Sequence, residues 1–217
     1  MGSPRSPVPR PSVRRLSLYL RQLETLQREE VRTVSSGRLA QPLGLSDAQV
    51  RKDLAYFGQF GRSGVGYEVI PLIEKLRAIL GTDRTWSTIL VGVGNLGRAI
   101  SAYQGFREKG FHLVAALDSD ERKIGKRVGP LTIEPISQLK RIVQQHEVQM
   151  AILAVPAASA QQVAEELGEA GVRGILNFAP VHLRTPPGVT VRHLDVAAEL
   201  EQLAFTTVEG LGERAER

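Results

Sequence analysis

Between Val13 and Glu30 the apolar residues Leu16, Leu18, Leu20, Leu23 and Leu26 recur at helical spacing with Arg and Glu between them, which predicts a first amphipathic helix. Ser35 and Ser36 lead into GRLAQPLGL, a short helical stretch that Pro42 and Gly44 bring to an end. Ser46 then stands where a helix cap belongs, ahead of a second short helix running through Phe57. Two short helices around a Gly-containing turn predict a helix-turn-helix. Beyond it, FGRSGVGYEV sets Gly58, Gly61, Gly64 and Gly66 around Arg62 and passes through a short β-like run into another amphipathic helix, PLIEKLRAIL. A glycine-rich hairpin in that place predicts a wing.

The pattern changes at Thr88. A β-branched run reaches Val93, and FHLVAALD, LTI, VQMAILAVP, VRGILNFAP and VTVRHLD read as further strands, with ISQLKRIVQQHE and ASAQQVAEELGEAG as helices between them. Such alternation predicts an α/β fold, a Rossmann-type doubly wound parallel sheet. A last amphipathic pattern, VAAELEQLAFTTVEG, spans Val196 to Gly210. The opening MGSPRSPVPRPS is rich in Pro and Ser without an apolar core. The expected organisation is therefore a mobile basic arm (1–12), a winged-helix domain (13–82), a Rossmann domain (83–195) and a C-terminal helix and tail (196–217).

Charge separates the same two halves. The chain carries 28 Lys+Arg against 23 Asp+Glu; the first 82 residues hold 13 against 7, and the remainder 15 against 16. A polyanion is the expected partner of that half. With no cysteine, disulfides, thiolate metal sites and thiol switches are excluded, so any redox response must come through a bound molecule. Neither a signal peptide nor a membrane span is visible, and a cytoplasmic location is expected by default.

On the second short helix, projection at 100° per residue places Val50, Leu54 and Phe57 on one side. Gln49, Lys52, Tyr56 and the small Ala48 lie opposite, with Arg51 on the flank. Arg and Lys suit phosphates and guanine acceptors, Gln pairs with adenine, and Ala permits close approach. Ser36 ahead of this helix, and Arg62, Ser63, Gly64 and Tyr67 in the wing, complete the candidate DNA surface, Arg62 being suited to a narrow minor groove. Asp53 does not fit a surface facing phosphate. It is expected to orient Arg51 or Lys52, or to pair within the domain.

In ILVGVGNLG, Gly92, Gly94 and Gly97 satisfy G-x-G-x-x-G between a strand and a helix, the context a dinucleotide turn requires. Gly92 is expected to make the turn, Gly94 to leave room for a pyrophosphate and Gly97 to let the helix pack on the strand. Val93, Asn95 and Leu96 present the backbone between them. The next strand ends in Asp118, a candidate acceptor for both ribose hydroxyls, with Asp120 just beyond, and the pair favours NAD over NADP. Asp120 also suits a plain cap of the following helix. The separation of Gly92 and Asp118 is longer than usual, so QGFREKG must form a connection. Val155, Pro156 and Ala157, and Asn177, Phe178 and Ala179, end later strands on the nicotinamide side; Phe178 suits ring stacking and the core equally. None of His112, His146, His182 and His193 has the spacing of a dehydrogenase relay, His193 with Asp195 coming nearest. A dinucleotide fold without catalytic machinery, joined to a DNA reader, points to a sensor and not an enzyme.

These segments together resemble the Rex redox-sensing transcriptional repressors. The matching stretches are VRKDLAYFG at Val50 to Gly58, GVGY at Gly64 to Tyr67, GVGNLG, AILAVPA at Ala151 to Ala157 and GILNFAPV at Gly174 to Val181, in order and across both halves. The resemblance implies a homodimer with an N-terminal winged helix, a Rossmann domain and a C-terminal helix exchanged between subunits. It implies binding to double-stranded operator DNA, an A·T-rich inverted repeat, and release when NADH replaces NAD+, with NAD(H) sensed and not consumed. A switch network of a first-helix arginine, a tyrosine after the Gly turn and an aspartate before the exchanged helix would fall on Arg21, Tyr103 and Asp195. One departure is Val196, where some relatives carry an aromatic residue. Two other readings of the Gly turn stand beside this one: an NAD-dependent dehydrogenase with an N-terminal oligomerisation domain, which lacks a visible relay, and a CoA- or nucleotide-binding module, against which Asp118 and Asp120 argue.

Overall fold

The computed structural model describes residues 9–62 and 64–215, which fall into two compact units meeting between Arg84 and Thr85. The first unit begins with α1 (Arg10–Arg28). Arg10, Pro11 and Ser12, expected in the mobile arm, instead form the first turn, where a proline costs nothing because its absent N–H would have no helical partner. The buried stripe of α1 is Leu16, Tyr19, Leu20, Leu23 and Leu26. Leu18 lies off that stripe and is only half-buried, as a period of 3.6 requires.

A strand that the sequence pattern did not reveal, β1 (Thr33–Val34), leads into α2 (Ser36–Ala40), whose cap is Ser35: its hydroxyl accepts from the Arg38 N–H at 3.1 Å. A 3-10 turn ends at Gly44 with φ +64°, and Ser46 caps α3 (Asp47–Ala55) by accepting from the Gln49 N–H at 3.1 Å. This is the helix-turn-helix. Strands β2 (Gly61–Arg62) and β3 (Gly66–Glu68) form the wing hairpin, and β1 joins it in an antiparallel sheet of order β1-β3-β2. Gly66 is required there: φ is +92° and a Cβ would run into the Val34 carbonyl oxygen. Helix α4 (Val69–Leu80) closes the unit by placing Val69, Leu72, Ile73 and Leu76 in the core with α1.

The second unit runs β4 (Trp86–Val91), α5 (Asn95–Ala102), α6 (Gly105–Glu108), β5 (Phe111–Asp118), β6 (Arg127–Val128), β7 (Leu131–Pro135), α7 (Leu139–Gln145), β8 (Met150–Leu153), α8 (Ala157–Ala170), β9 (Gly174–Asn177), β10 (Thr190–His193) and α9 (Val196–Ala215). The short α6 is the connection that the long Gly92 to Asp118 spacing demanded. Sheet order is β10-β9-β8-β4-β5-β7-β6, parallel except for the β6–β7 hairpin, which the sequence pattern did not reveal. The chain reverses direction across the sheet between β4 and β8, the switch point where doubly wound sheets open a ligand crevice.

Alternation along the strands divides two apolar layers. Ile89, Val91, Leu117, Ala151, Leu153 and Ile175 face α7 and α8, while Leu90, Ala116 and Ile152 face Ile100 of α5 and Phe106 of α6. On this second face the sheet continues past α5 into an apolar cleft of about 470 Å³, lined by Trp86, Phe111, Met150, Ile152, Leu176 and their neighbours. Helix α9 exposes Val196, Leu200, Leu203, Phe205 and Val208. Among the described residues no helix is long and apolar enough to cross a membrane.

Candidate functional site

In the first unit, α3 and the wing enclose a groove of about 720 Å³ bordered by Ser36, Arg51, Arg62, Gly64 and Tyr67. Ala48 and Lys52 are exposed on α3, Tyr56 at its C-terminal cap and Arg62 on β2. Arg51 is drawn across the groove: its Nη1 donates to the Ser36 hydroxyl at 3.0 Å and to Asp47 Oδ2 at 2.6 Å. That contact holds the Asp47 carboxyl below its ordinary range. Two expected contacts are corrected. Tyr67 is buried, because β3 alternates and its middle residue turns into the core, so it backs the groove. Gln49 lies half-buried and not on the fully exposed face, with its Nε2 donating to Asp53 Oδ1 at 3.0 Å. Ser63 lies outside the described residues.

Asp53 pairs within the domain, the second of its two expected roles; among the described residues its carboxylate bonds neither Arg51 nor Lys52 directly. It is 1% exposed, although it lies between the exposed Lys52 and Ala55. Oδ1 accepts from Ser12 Oγ at 3.0 Å and Arg15 Nη2 at 2.8 Å, and Oδ2 from Arg15 Nε and from the Tyr19 hydroxyl at 2.8 Å. Burial alone would raise the Asp53 pKa, but Arg15, Tyr19 and Ser12 outweigh it and hold the carboxyl below the ordinary value. The Tyr19 hydroxyl is pushed up, first by burial and then by the adjoining carboxylate.

In the second unit the ends of β4, β5, β8 and β9 open a cleft of about 610 Å³ at the switch point. The three glycines meet three different demands. Gly92 has φ +96° and a Cβ there would meet the Ala154 carbonyl oxygen, whereas a Cβ on Gly97 would meet the carbonyl oxygen of Gly92. Both are glycine for the protein's own packing. A Cβ on Gly94 would meet no protein atom within 4 Å, so packing does not explain that glycine, and its side faces the cleft. This is the fit expected of a backbone that a pyrophosphate approaches, ahead of the N–H groups at the start of α5.

Gly92, Gly94, Leu96, Asp118, Val155, Pro156 and Phe178 line the cleft. Asn95 and Ala157 are exposed in the first turns of α5 and α8, and Val93, Gly97, Asn177 and Ala179 lie behind the surface. Asp118, the expected ribose acceptor, already receives three donors from the protein. Its Oδ2 accepts from the Val93 N–H at 2.8 Å and Lys123 Nζ at 2.9 Å, and its Oδ1 from the Asp120 N–H at 2.9 Å, which leaves room for one further donor on Oδ1. Burial would raise this carboxyl; the Asp120 N–H, Lys123 and the Val93 N–H together hold it below its usual value. Asp120 is held at a pKa of about 2 by Arg122. The two carboxylates expected to repel a 2′-phosphate thus each face a cation, so repulsion there is weaker than their charges alone imply.

Asn177 is nearly fully buried and its side chain braces its own loop. Its Oδ1 accepts from the Ala179 N–H at 3.0 Å, while Nδ2 lies 3.2 Å and 3.0 Å from the Ala179 and Val181 carbonyl oxygens. His193 does not join Asp195. Its Nδ1 lies 3.1 Å from Asn177 Nδ2 and its ring stacks on His182 at 4.2 Å, and burial followed by that neighbouring histidine lowers its pKa. Asp195 caps α9, accepting from the Ala197 and Ala198 N–H groups at 3.0 and 3.2 Å. Tyr103 is 61% exposed, with its ring edge-on to Phe106 at 5.0 Å, and Arg21 is exposed on α1. Among the described residues no hydrogen bond joins Tyr103 to Asp195. Sequence reasoning missed Lys123, Ser159, Gln162 and Glu166 in the cleft, although the last three share one face of α8 at helical spacing.

A helix-turn-helix with a wing, joined to a nucleotide-type cleft at a sheet switch point, defines a ligand-responsive DNA-binding regulator. Comparison with known proteins gives the family. Residues 7–55 match a family model described as "Putative DNA-binding protein N-terminus", and residues 83–181 match one described as "CoA binding domain". A redox-sensing transcriptional repressor Rex from Carboxydothermus hydrogenoformans is 50% identical over 198 residues, 91% of this chain and 95% of the relative. A second, from Chloroflexus aggregans, is 47% identical over 193 residues, 89% and 91% of the two chains. The crystal structure of RSP, in complex with beta-NAD+ and operator DNA, superposes with a TM-score of 0.89 at 32% identity, over 97% of this chain and 98% of that one. RSP with beta-NADH gives 0.87 at 31% identity, over 98% and 100%. The chain belongs to the Rex family of redox-sensing transcriptional repressors, which are regulators and not enzymes.

Proposed function

We propose that this protein is a dimeric repressor that holds operator DNA with its two winged helices and releases it when NADH replaces NAD+ in the Rossmann cleft. The observation that carries the reading is the pairing, in one chain, of the basic α3–wing groove with a cleft where the glycine at position 94 answers to a ligand and not to packing. Gly92, Gly94, Leu96 and Asp118 would hold the pyrophosphate and adenosine ribose. Val155, Pro156 and Phe178 would border the nicotinamide, the group whose redox state is sensed. Because the two cofactor forms differ only by a hydride and the ring charge, the choice between them belongs at this apolar end, where desolvation penalises the cationic ring and favours the neutral one.

The dimer is supported by an unmatched pair of surfaces. The apolar cleft around Trp86, Met150 and Leu176 has the character of a helix-packing site, and α9 exposes Leu200, Leu203 and Phe205. Exchange of α9 between two copies would cover both, and would bring Asp195, at the start of that helix, into a network with Tyr103 and Arg21. The operator is then an A·T-rich inverted repeat read by both subunits, and the protein works in the cytoplasm. Moving the operator from nearly full to nearly empty requires NADH to prefer the released state by about 5 kcal/mol over the bound one.

The test is a fluorescence-anisotropy titration of the full chain on a duplex that it selects from a random library. NADH should release the duplex at concentrations where NAD+ leaves it bound; equal release by both would refute the proposal. The description of the second family model favours a competing reading, coenzyme A as ligand. Coenzyme A displacing NADH at comparable concentration would establish that reading instead.

A further inference from the structure

We propose that Asp53 is a positioning residue for operator reading: it sets the rotation and pitch of α3 against α1, and with them the aim of Lys52, Arg51 and Tyr56.

Helix α3 has only nine residues, and Val50 and Leu54 are its buried apolar side chains. Two side chains on one short stripe resist separation but resist rotation poorly, because dispersion and hydrophobic contacts have no direction. Asp53 supplies the direction. Its carboxylate sits beside that stripe, buried, and meets Ser12, Arg15 and Tyr19, which are three, four and seven residues apart and so share one face of α1. Arg15 approaches as a fork, Nε to Oδ2 and Nη2 to Oδ1, and a planar two-point contact fixes orientation as well as distance.

The same carboxylate accepts from Gln49 within α3, so the turn from Gln49 to Asp53 is braced at the carboxylate that α1 holds. Lys52 is adjacent in sequence and exposed, and among the described residues no side-chain hydrogen bond or ion pair anchors it. Its aim is inherited from Asp53.

Position and simple charge make opposite predictions for Asp53→Asn. Removing a negative charge from a DNA-facing helix should by electrostatics tighten binding to any duplex. An amide in place of the carboxylate turns a donor toward the Arg15 fork and the Tyr19 hydroxyl and undoes the setting of α3. Positioning therefore predicts that affinity for the selected duplex falls about tenfold, the size of one mismatched base pair, while affinity for a scrambled duplex of equal length is unchanged or greater.

The experiment measures both affinities for the full chain, with NADH binding as a control that should not move. Arg15→Lys keeps the charge and loses the fork, and should lower the ratio of selected to scrambled affinity in the same way, which mere charge neutralisation would not do. If Asp53→Asn melts below the assay temperature, Arg15→Lys decides by the same ratio. An unchanged ratio in the folded variants, or equal loss on both duplexes, overturns the proposal.

Discussion

The glycines of GVGNLG separate packing from binding one residue at a time. Gly94→Val should leave the fold intact, because the new side chain meets no protein atom within 4 Å of its Cβ, and should abolish NADH binding by filling the cleft. Gly97→Val should instead lower the melting temperature, because its Cβ collides with the Gly92 carbonyl oxygen. Thermal melts and NADH titrations of both variants check the contrast. The Asp53 cluster belongs to this scale too and carries a pH dependence. Its carboxyl is depressed in the folded state, so the stability it contributes is complete above the unfolded value of about 4 and is lost as pH falls through the folded one. Melting temperature should fall between about pH 5 and acid more steeply for the natural chain than for a folded Asp53→Asn variant; parallel curves would remove Asp53 from the explanation.

Elements carry the recognition surface and the means of pairing. Caps and turns are local, and Gly44 and Ser46 could be assigned from the chain alone because each bonds or bends within four residues of itself. The short strands β1 and β6 could not, since a two-residue strand has no period and exists only by virtue of its partner. Helix α9 gives a prediction at this level. The double variant Leu203→Glu and Phe205→Glu should sediment as a monomer while keeping its helical circular dichroism. Trp86, the one tryptophan of the chain, lines the apolar cleft, so its emission should shift to longer wavelength in the same variant. A dimer with unshifted emission would show that α9 does not cover that cleft.

For the whole molecule, the proposed function assigns DNA binding to the first unit and cofactor binding to the second. Substitutions at Lys52 should weaken DNA binding and leave NADH affinity unchanged, measurable on one preparation by two titrations. Legible along the chain were the order of the main elements, the winged-helix and Rossmann classes, the glycine turn, the excess of basic charge in the first half and the lack of a visible catalytic relay. These follow from periodicity, turn chemistry and composition, which are properties of neighbours along the chain. Tertiary structure decided what each polar side chain does: that Asp118 braces the glycine turn with Lys123, that Asn177 holds its loop against His193, that Tyr67 is core, and that Asp53 joins α3 to α1. A carboxylate or amide carries no sign in its own sequence of which donors will surround it. Those donors come from residues up to 41 positions away, brought together only when the core closes.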